Sequence, residues 1–476
     1  MRRFKPTTGA CAILACALLA GAAGAQPRDH GRSRPPPTDV IDFAADPYPS
    51  TYRPLPRVDT LITHATVLDG AGHRLEGADV LLRDGKVAAV GRSLSAPEGA
   101  VVVDGRGRWV TPGLVDIHSH DGDFASPYTS ADLKHSDVNE DSDPNVANVW
   151  AEHSITVQDP SFALALAGGV TTLQVLPGST TLFGGRTVVL HNVPAVTMQA
   201  MKFPAARQGL KMACGENPKR TFGEHNRFPV SRMGNVAGAR QAWIEAEQYR
   251  REWADYRSGK EDDRPERDLK LDTLAAALNS DIDVHIHCYR ADEMAVMIDM
   301  AREFGFRIAA FHHAVEAYKI PGLLAKAGIC AVLWSDWWGY KMETYDAIRE
   351  NAAFTDAGGA CVTLHSDSPV IGQRLAVEAG KAMSAGRHAG APVAPEHAIA
   401  WITLNPARVL GLGDRIGSLE PGKNADVVVW SGDPFSIYAK ADQVFIDGAL
   451  VFDRADPGRR PRSDFEVGQP VRGPSR

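Results

Sequence analysis

The chain has 476 residues, 44% hydrophobic and 23% charged, with a formal net charge of -7. This is ordinary globular composition, long enough for one large domain plus a smaller one. No basic stripe is present, which argues against nucleic acid as a partner.

The first residues read as a targeting segment. Arg2, Arg3 and Lys5 precede a short apolar run, Cys11-Ala-Ile-Leu-Ala-Cys-Ala-Leu-Leu19, and Ala23-Gly24-Ala25 has the small-residue pattern of a cleavage site. Residues 1–25 are therefore expected to be a signal peptide, because the run is too short to span a bilayer. Cys16 after Ile13-Leu14-Ala15 offers a lipoprotein alternative. It leaves a very short apolar core, so cleavage after Ala25 is favoured. The arginine pair hints at twin-arginine export. The mature chain is expected to be periplasmic or secreted, without a membrane span.

Four cysteines remain after cleavage: Cys214, Cys288, Cys330 and Cys361. Each lies in an apolar, strand-like run without C-x-x-C spacing, so they are read as buried thiols packing as small hydrophobes. An exported protein permits disulfides, and a Cys214–Cys288 bridge is the alternative.

Residues 26–57, rich in Pro, Asp and Arg, read as a linker or arm. Residues 58–113 alternate short apolar runs with Gly turns, as in Thr60-Leu-Ile-Thr-His-Ala-Thr-Val-Leu68, and predict strands and hairpins. The same pattern returns in 407–455, with Ala425-Asp-Val-Val-Val-Trp430 and Gln443-Val-Phe-Ile-Asp-Gly-Ala-Leu-Val-Phe452. The two blocks are expected to pair into one small β domain. Residues 456–476, rich in Pro, Arg and Gly, are expected to form a mobile tail.

Between the blocks, over 114–406, apolar runs alternate with helical patterns. Strands are predicted at Gly169-Val-Thr-Thr-Leu-Gln-Val-Leu176, Ile282-Asp-Val-His-Ile-His287, Phe306-Arg-Ile-Ala-Ala-Phe311, Ile329-Cys-Ala-Val-Leu333 and Cys361-Val-Thr-Leu-His365. Helices are predicted at 292–304 and 342–357, with a long charged helix at 235–256. Met294, Met297 and Met300 share one face of the first and read as core. Such alternation predicts an α/β fold built on a (β/α)8 TIM-type barrel.

In such a barrel the reactive residues stand at the carboxyl ends of strands. His118 and His120 close the first strand, and residues i and i+2 of a strand share a side. His287 closes the second candidate, His312 and His313 the third, and Asp367 follows the last in Val362-Thr-Leu-His365-Ser-Asp367. Four strands that each finish in His or Asp point to a metal centre rather than to four accidents of core packing.

These motifs resemble the amidohydrolase superfamily, and within it the imidazolonepropionase-like branch. The resemblance rests on Pro112-Gly-Leu-Val-Asp-Ile-His-Ser-His120, Gly168-Gly-Val-Thr-Thr172, Leu210-Lys-Met-Ala-Cys-Gly-Glu-Asn-Pro-Lys219, His287-Cys-Tyr-Arg-Ala-Asp-Glu293, Ser366-Asp-Ser-Pro369 and Ile416-Gly-Ser-Leu-Glu-Pro-Gly-Lys-Asn-Ala-Asp426. It implies a metal-bearing (β/α)8 barrel with a small β-sandwich domain formed by the N- and C-terminal segments.

The resemblance also implies roles. His118 and His120 are expected to hold the more buried metal, His287 and His313 the second, and Asp367 to serve as both ligand and proton carrier. The bridge between metals is assigned to Glu216, which needs no modification, with carbamylated Lys211 as the alternative. Arg290, His365 and His225 are candidates for substrate contact; an ion pair with Asp292 or Glu293 is the competing reading of Arg290. The aromatic run Trp334-Ser-Asp-Trp-Trp-Gly-Tyr340 lines the pocket or packs a loop. Two zinc ions are expected, with manganese, iron or cobalt as alternatives that suit His and carboxylate ligands.

The activity implied is cleavage of a C–N amide-type bond in a small molecule, by a metal-held hydroxide with Asp367 shuttling the proton. Dipeptides, N-acyl amino acids, cyclic amides and lactones all suit it. A mononuclear deaminase of the same superfamily is one rival; such enzymes carry H-x-x-E after the third metal histidine, whereas Arg290 stands there. A secreted protein that holds metal without catalysis is the other, and a homo-oligomer is compatible with all three.

Overall fold

The computed structural model describes residues 41–337 and 339–460. The expected signal peptide, the first part of the linker and nearly all of the tail lie outside the described residues. What is described of the linker is an arm docked on the body. Phe43 is buried in the main core, Tyr52 donates to Asp447 at 2.7 Å, and the buried Lys202 donates to the Tyr48 carbonyl at 2.9 Å.

Both ends of the chain build one sheet, as the two strand-rich blocks predict. The first block gives β1 (Thr60–Leu68), β2 (Arg74–Arg83), β3 (Lys86–Gly91), β4 (Val101–Asp104) and β5 (Trp109–Pro112). The central region then gives β6 (Leu114–Ser119), β7 (Val170–Val175), β8 (Phe183–Arg186), β9 (Val188–His191), β10 (Gly209–Ala213), β11 (Asp283–Cys288), β12 (Ile308–His313), β13 (Cys330–Leu333) and β14 (Val362–Leu364). The second block gives β15 (Val427–Trp430), β16 (Ala441–Ile446) and β17 (Ala449–Asp453). The terminal sheet runs β17-β16-β15-β5-β1-β2-β3, with β4 paired to β1. Its seam is antiparallel, with Val427 opposite Pro112 and Trp430 opposite Trp109. An apolar core that includes Ile62, Val80, Val110, Val427, Val429 and Phe445 joins residues of both blocks.

The central strands form two further sheets. One carries β10 to β14 in parallel, with β8 antiparallel on β10; the other carries β6, β7 and β9. β6, β7 and β10 to β13 are buried at every position, as parallel strands covered on both faces must be. One stretch departs from regular strand–helix alternation. β8 and β9 are separated by Thr187 alone yet lie in different sheets, β8 antiparallel on β10 and β9 antiparallel on β7.

Helices cover the outer faces. The main ones are α1 (Pro160–Ala167), α2 (Glu216–Gly223), α3 (Arg232–Arg257), α4 (Leu269–Leu278), α5 (Ala291–Phe304), α6 (Pro321–Ala327), α7 (Asn351–Ala357) and α8 (Leu375–His388). α3 extends the long helix read from the sequence. Its Trp243 stacks on Phe306 at 4.4 Å and meets Phe183 edge-on, and truncating so buried a tryptophan costs about 3–5 kcal/mol.

Two expectations are corrected. The helix predicted over 342–357 forms only as a short turn, Met342–Thr344, and then α7. Between them Tyr318 donates to the Asp346 carbonyl and Lys319 binds the Asp346 carboxylate, so that backbone is committed to tertiary partners rather than to a helix ladder. The cysteines are not free thiols: Cys214 is bonded to Cys288 and Cys330 to Cys361. Neighbouring parallel strands bring their Cα atoms to 5.2 and 4.5 Å, within bridging reach, although 74 and 31 residues separate them along the chain.

Candidate metal centre

The site gathers where β6, β7 and β10 to β14 end. His118 and His120 leave β6 on the same side. His118 Nε2 lies 3.3 Å from His120 Nε2, and Asp367 Oδ1 is 3.2 Å from each of them. His120 Nδ1 donates to the Leu176 carbonyl at 2.9 Å, a partner that can only accept, so in the neutral ring Nε2 carries a lone pair. Two imidazole nitrogens and a carboxylate oxygen thus converge on one point, an arrangement that a cation resolves.

A second group stands beside the first. Ligand atoms of His118, His313 and His365 lie within 4.8 Å of one another. The His287 and His313 rings are 4.5 Å apart between centroids. His287 and His365 are buried with neither ring nitrogen hydrogen-bonded, and His313 Nδ1 is likewise orphaned. Buried polar atoms without partners are costly, and here they belong to residue types that ligate metals. The donor set therefore fits a divalent ion.

Backbone geometry makes this convergence happen. Adjacent residues of a regular strand face opposite ways, yet His312 and His313 both pack against His118. His313 has φ 70° and Ala314 φ 33°, so the strand breaks as it leaves the sheet and turns the second ring inward. Asp367 has φ 53°. Such conformations cost about 1–3 kcal/mol each for non-glycine residues and collect at functional sites.

Burial drives the electrostatics. Desolvation holds the imidazoles of His118, His287 and His313 well below their ordinary pKa, and His365 at about 3, so the rings are neutral and free to ligate. Burial alone would raise the Asp367 carboxyl, but the His313 and His120 imidazoles hold it below the usual carboxylate range. Lys211 is fully buried, and desolvation lowers its amine to about 7. Its Nζ donates to the Pro177 carbonyl at 2.9 Å.

The predicted residues separate clearly. His118, His120, His287, His313 and Asp367 are brought together. The two bridge candidates differ in placement: Lys211 is fully buried in β10 and its charge acts on His118, His285, His287 and His312, whereas Glu216 opens α2 and lies 3.7 Å from Arg220. A mid-strand residue of β10 stands beside His285, its partner in register; Glu216, three past the strand's end, has left the sheet. Arg290 caps α5, with its guanidinium held by Asp292 at 2.9–3.0 Å, so the ion pair is what forms. His225 is exposed in the turn after α2. His365 lies inside the histidine cluster, stacked on His118, rather than at the rim.

Tyr289, Lys341 and Gln174 were not singled out in the sequence, whereas the aromatic run holding Trp334 and Tyr340 was. Tyr289 donates to, or accepts from, Tyr340 at 2.8 Å, and Lys341 Nζ sits 4.1 Å over the Tyr289 ring. Trp334, in the aromatic run, stacks on His313 at 4.2 Å and on Trp337 at 4.9 Å. Behind the cluster stand His312, His285 and Gln174. A polar residue within the wholly buried β7 was the available signal for Gln174.

Comparison with known proteins agrees with this geometry. Residues 345–452 match the family model described as "Amidohydrolase family". The chain is 34% identical over 401 residues to "Amidohydrolase tasK" of Hapsidospora irregularis, covering 79% of this chain but spanning only 40% of that protein. It is 26% identical to an imidazolonepropionase of Stenotrophomonas maltophilia (strain R551-3), over 82% of this chain and 93% of the other. Among solved structures, an amidohydrolase from Thermotoga maritima MSB8 superposes with a TM-score of 0.76 at 37% identity, covering 83% of this chain and 100% of the other.

Proposed function

This chain belongs to the amidohydrolase superfamily, and from that premise we propose that it is a metal-dependent hydrolase of a C–N amide-type bond in a small molecule. The observation that carries the reading is the approach of His118 Nε2, His120 Nε2 and Asp367 Oδ1 to within 3.2–3.3 Å of one another. His118, His120 and Asp367 would hold one divalent ion. His287 and His313 would hold a second, with Lys211 between them and His365 within reach. Zinc suits this set. The chemistry such ions supply is activation of water near neutral pH and polarisation of a carbonyl.

The protein's own groups do the rest. Asp367, held ionised beside two imidazoles, takes the proton of the attacking water and returns it to the leaving nitrogen. Burial lowers the Lys211 amine to about 7, so a large share of it is uncharged near neutral pH, and the neutral amine is the form that carbon dioxide carbamylates; the product would supply a carboxylate to the metal site. Tyr289, Tyr340, Trp334 and Lys341 rim the cluster and would orient the substrate.

On this reading the two central sheets are arcs of one (β/α)8 barrel. The Asp367 N–H···O His118 bond at 3.0 Å and the Thr187 N–H···O Gly209 bond at 2.9 Å support that closure. Residues 58–113 and 407–455 make a smaller β-sandwich domain around their shared apolar core. Export to the periplasm or beyond accords with two disulfides.

The test is metal quantitation on the purified protein, then hydrolysis assays on dipeptides, N-acyl amino acids, cyclic amides and lactones. Bound zinc with turnover on an amide is the expected result. A protein that takes up no divalent metal, or that binds metal and turns over none of these, overturns the proposal.

A further inference from the structure

Behind the metal centre runs a continuous line of buried hydrogen bonds. His118 Nδ1 meets His312 Nδ1 at 2.8 Å. His312 Nε2 meets His285 Nδ1 at 2.9 Å. His285 Nε2 meets Gln174 Nε2 at 3.3 Å, that nitrogen lies 3.0 Å from Thr187 Oγ1, and the buried Gln174 Oε1 has no partner. All five residues are at most 1% exposed. Buried so completely, an imidazole favours its uncharged form.

A neutral imidazole has one N–H and one lone pair. In a chain of three such rings, fixing one end therefore fixes the other, and only two polarities exist. If Gln174 presents an N–H to His285, every ring passes its donor forward, and His118 ends with its proton on Nε2, the atom that faces His120 and Asp367. If Gln174 presents its Oε1, His285 donates from Nε2, His312 donates from Nε2 to His285, and His118 donates from Nδ1 to His312. His118 Nε2 then carries a lone pair and can ligate. Thr187 accommodates the second case: its hydroxyl accepts from the Gly209 N–H at 2.9 Å and can donate to the amide oxygen. The two orientations of an amide are told apart by such networks.

We infer that Gln174 is a positioning residue that sets the tautomer of His118 through His285 and His312, with its amide turned over relative to the structure so that Oε1 takes the place of Nε2 beside His285. The inference rests on His118 being a metal ligand. It adds that the preference for metal is written four side chains deep, and that Gln174 acts by polarity rather than by bulk. Partners of ligating histidines fix the ring tautomer in this way, and their loss typically costs about 10–100-fold in metal affinity.

The experiment measures the zinc dissociation constant by chelator competition for wild type, Gln174→Leu and Gln174→Glu. The leucine removes the acceptor and should weaken binding about 10–100-fold; the carboxylate, which can only accept, should restore binding to within a few-fold of wild type. Equal affinity for wild type and Gln174→Leu overturns the inference, as does equal loss in both variants. Should the variants not fold, 15N spectra of histidine-labelled, metal-free wild type decide it. His312 and His285 should show unprotonated Nδ1 and protonated Nε2, and the opposite pattern overturns it. If wild type binds no zinc, the hydrolase reading fails, while these spectra still judge the role of Gln174 separately.

Discussion

Asp367 and His118 meet twice. The Asp367 backbone N–H donates to the His118 carbonyl at 3.0 Å, and the Asp367 carboxylate stands 3.2 Å from His118 Nε2. One contact ties the segment after β14 to the end of β6, and the other aims the acid at the histidines. The left-handed φ of 53° at Asp367 allows both at once. Asp367→Asn should therefore keep the backbone tie and the side-chain volume while losing the proton carrier. Thermal unfolding should be nearly unchanged, and kcat should fall about 10²–10⁴-fold, the usual share of general acid–base catalysis. Near wild-type kcat would remove Asp367 from proton transfer.

Lys211 and Glu216 predict opposite outcomes. Lys211→Met leaves a buried apolar chain where the amine lay among histidines, and metal content should drop, most clearly for the second ion. Glu216→Gln removes an ion pair whose arginine is 58% exposed; such pairs contribute about 0–1 kcal/mol, so metal content and stability should hold. Metal analysis of both variants checks this. Loss of metal in Glu216→Gln with retention in Lys211→Met would return the bridge to Glu216.

The two disulfides should be visible chemically. Alkylation under denaturing conditions without reductant should leave Cys214, Cys288, Cys330 and Cys361 unmodified, and peptide mass mapping should recover Cys214–Cys288 and Cys330–Cys361 as linked pairs. Removing either bridge by serine substitution should cost about 2–5 kcal/mol in unfolding free energy. Modified thiols at these positions would refute the pairing.

Lys202 secures the docked arm. Its ammonium lies 2.7 Å from Asp46 and 2.5 Å from Glu152, whose side chain is 1% exposed. Lys202→Met strands the Glu152 charge in the interior, which should cost about 3–5 kcal/mol and expose residues 41–57 to proteolysis. Adding Glu152→Leu should recover part of the loss, because a removed pair costs less than a broken one. Denaturant unfolding and limited proteolysis measure both effects.

The sequence by itself determined the outline. Period-two runs and Gly turns at both ends foretold the shared sheet, and continuous apolar runs foretold the buried parallel strands. His118, His120, His287, His313 and Asp367 were legible because each ends or follows a strand, where alternation along one segment says which side a residue faces. Tertiary structure alone decided the rest. It buried Lys211 within β10 and paired Glu216 with Arg220, drew His365 into the cluster, turned Arg290 onto Asp292, closed both disulfides and aligned His312, His285 and Gln174 behind His118. These outcomes depend on which residues of different strands stand opposite one another. That is set by register between strands and by local breaks such as the one at His313, neither of which leaves a periodic trace in a single segment.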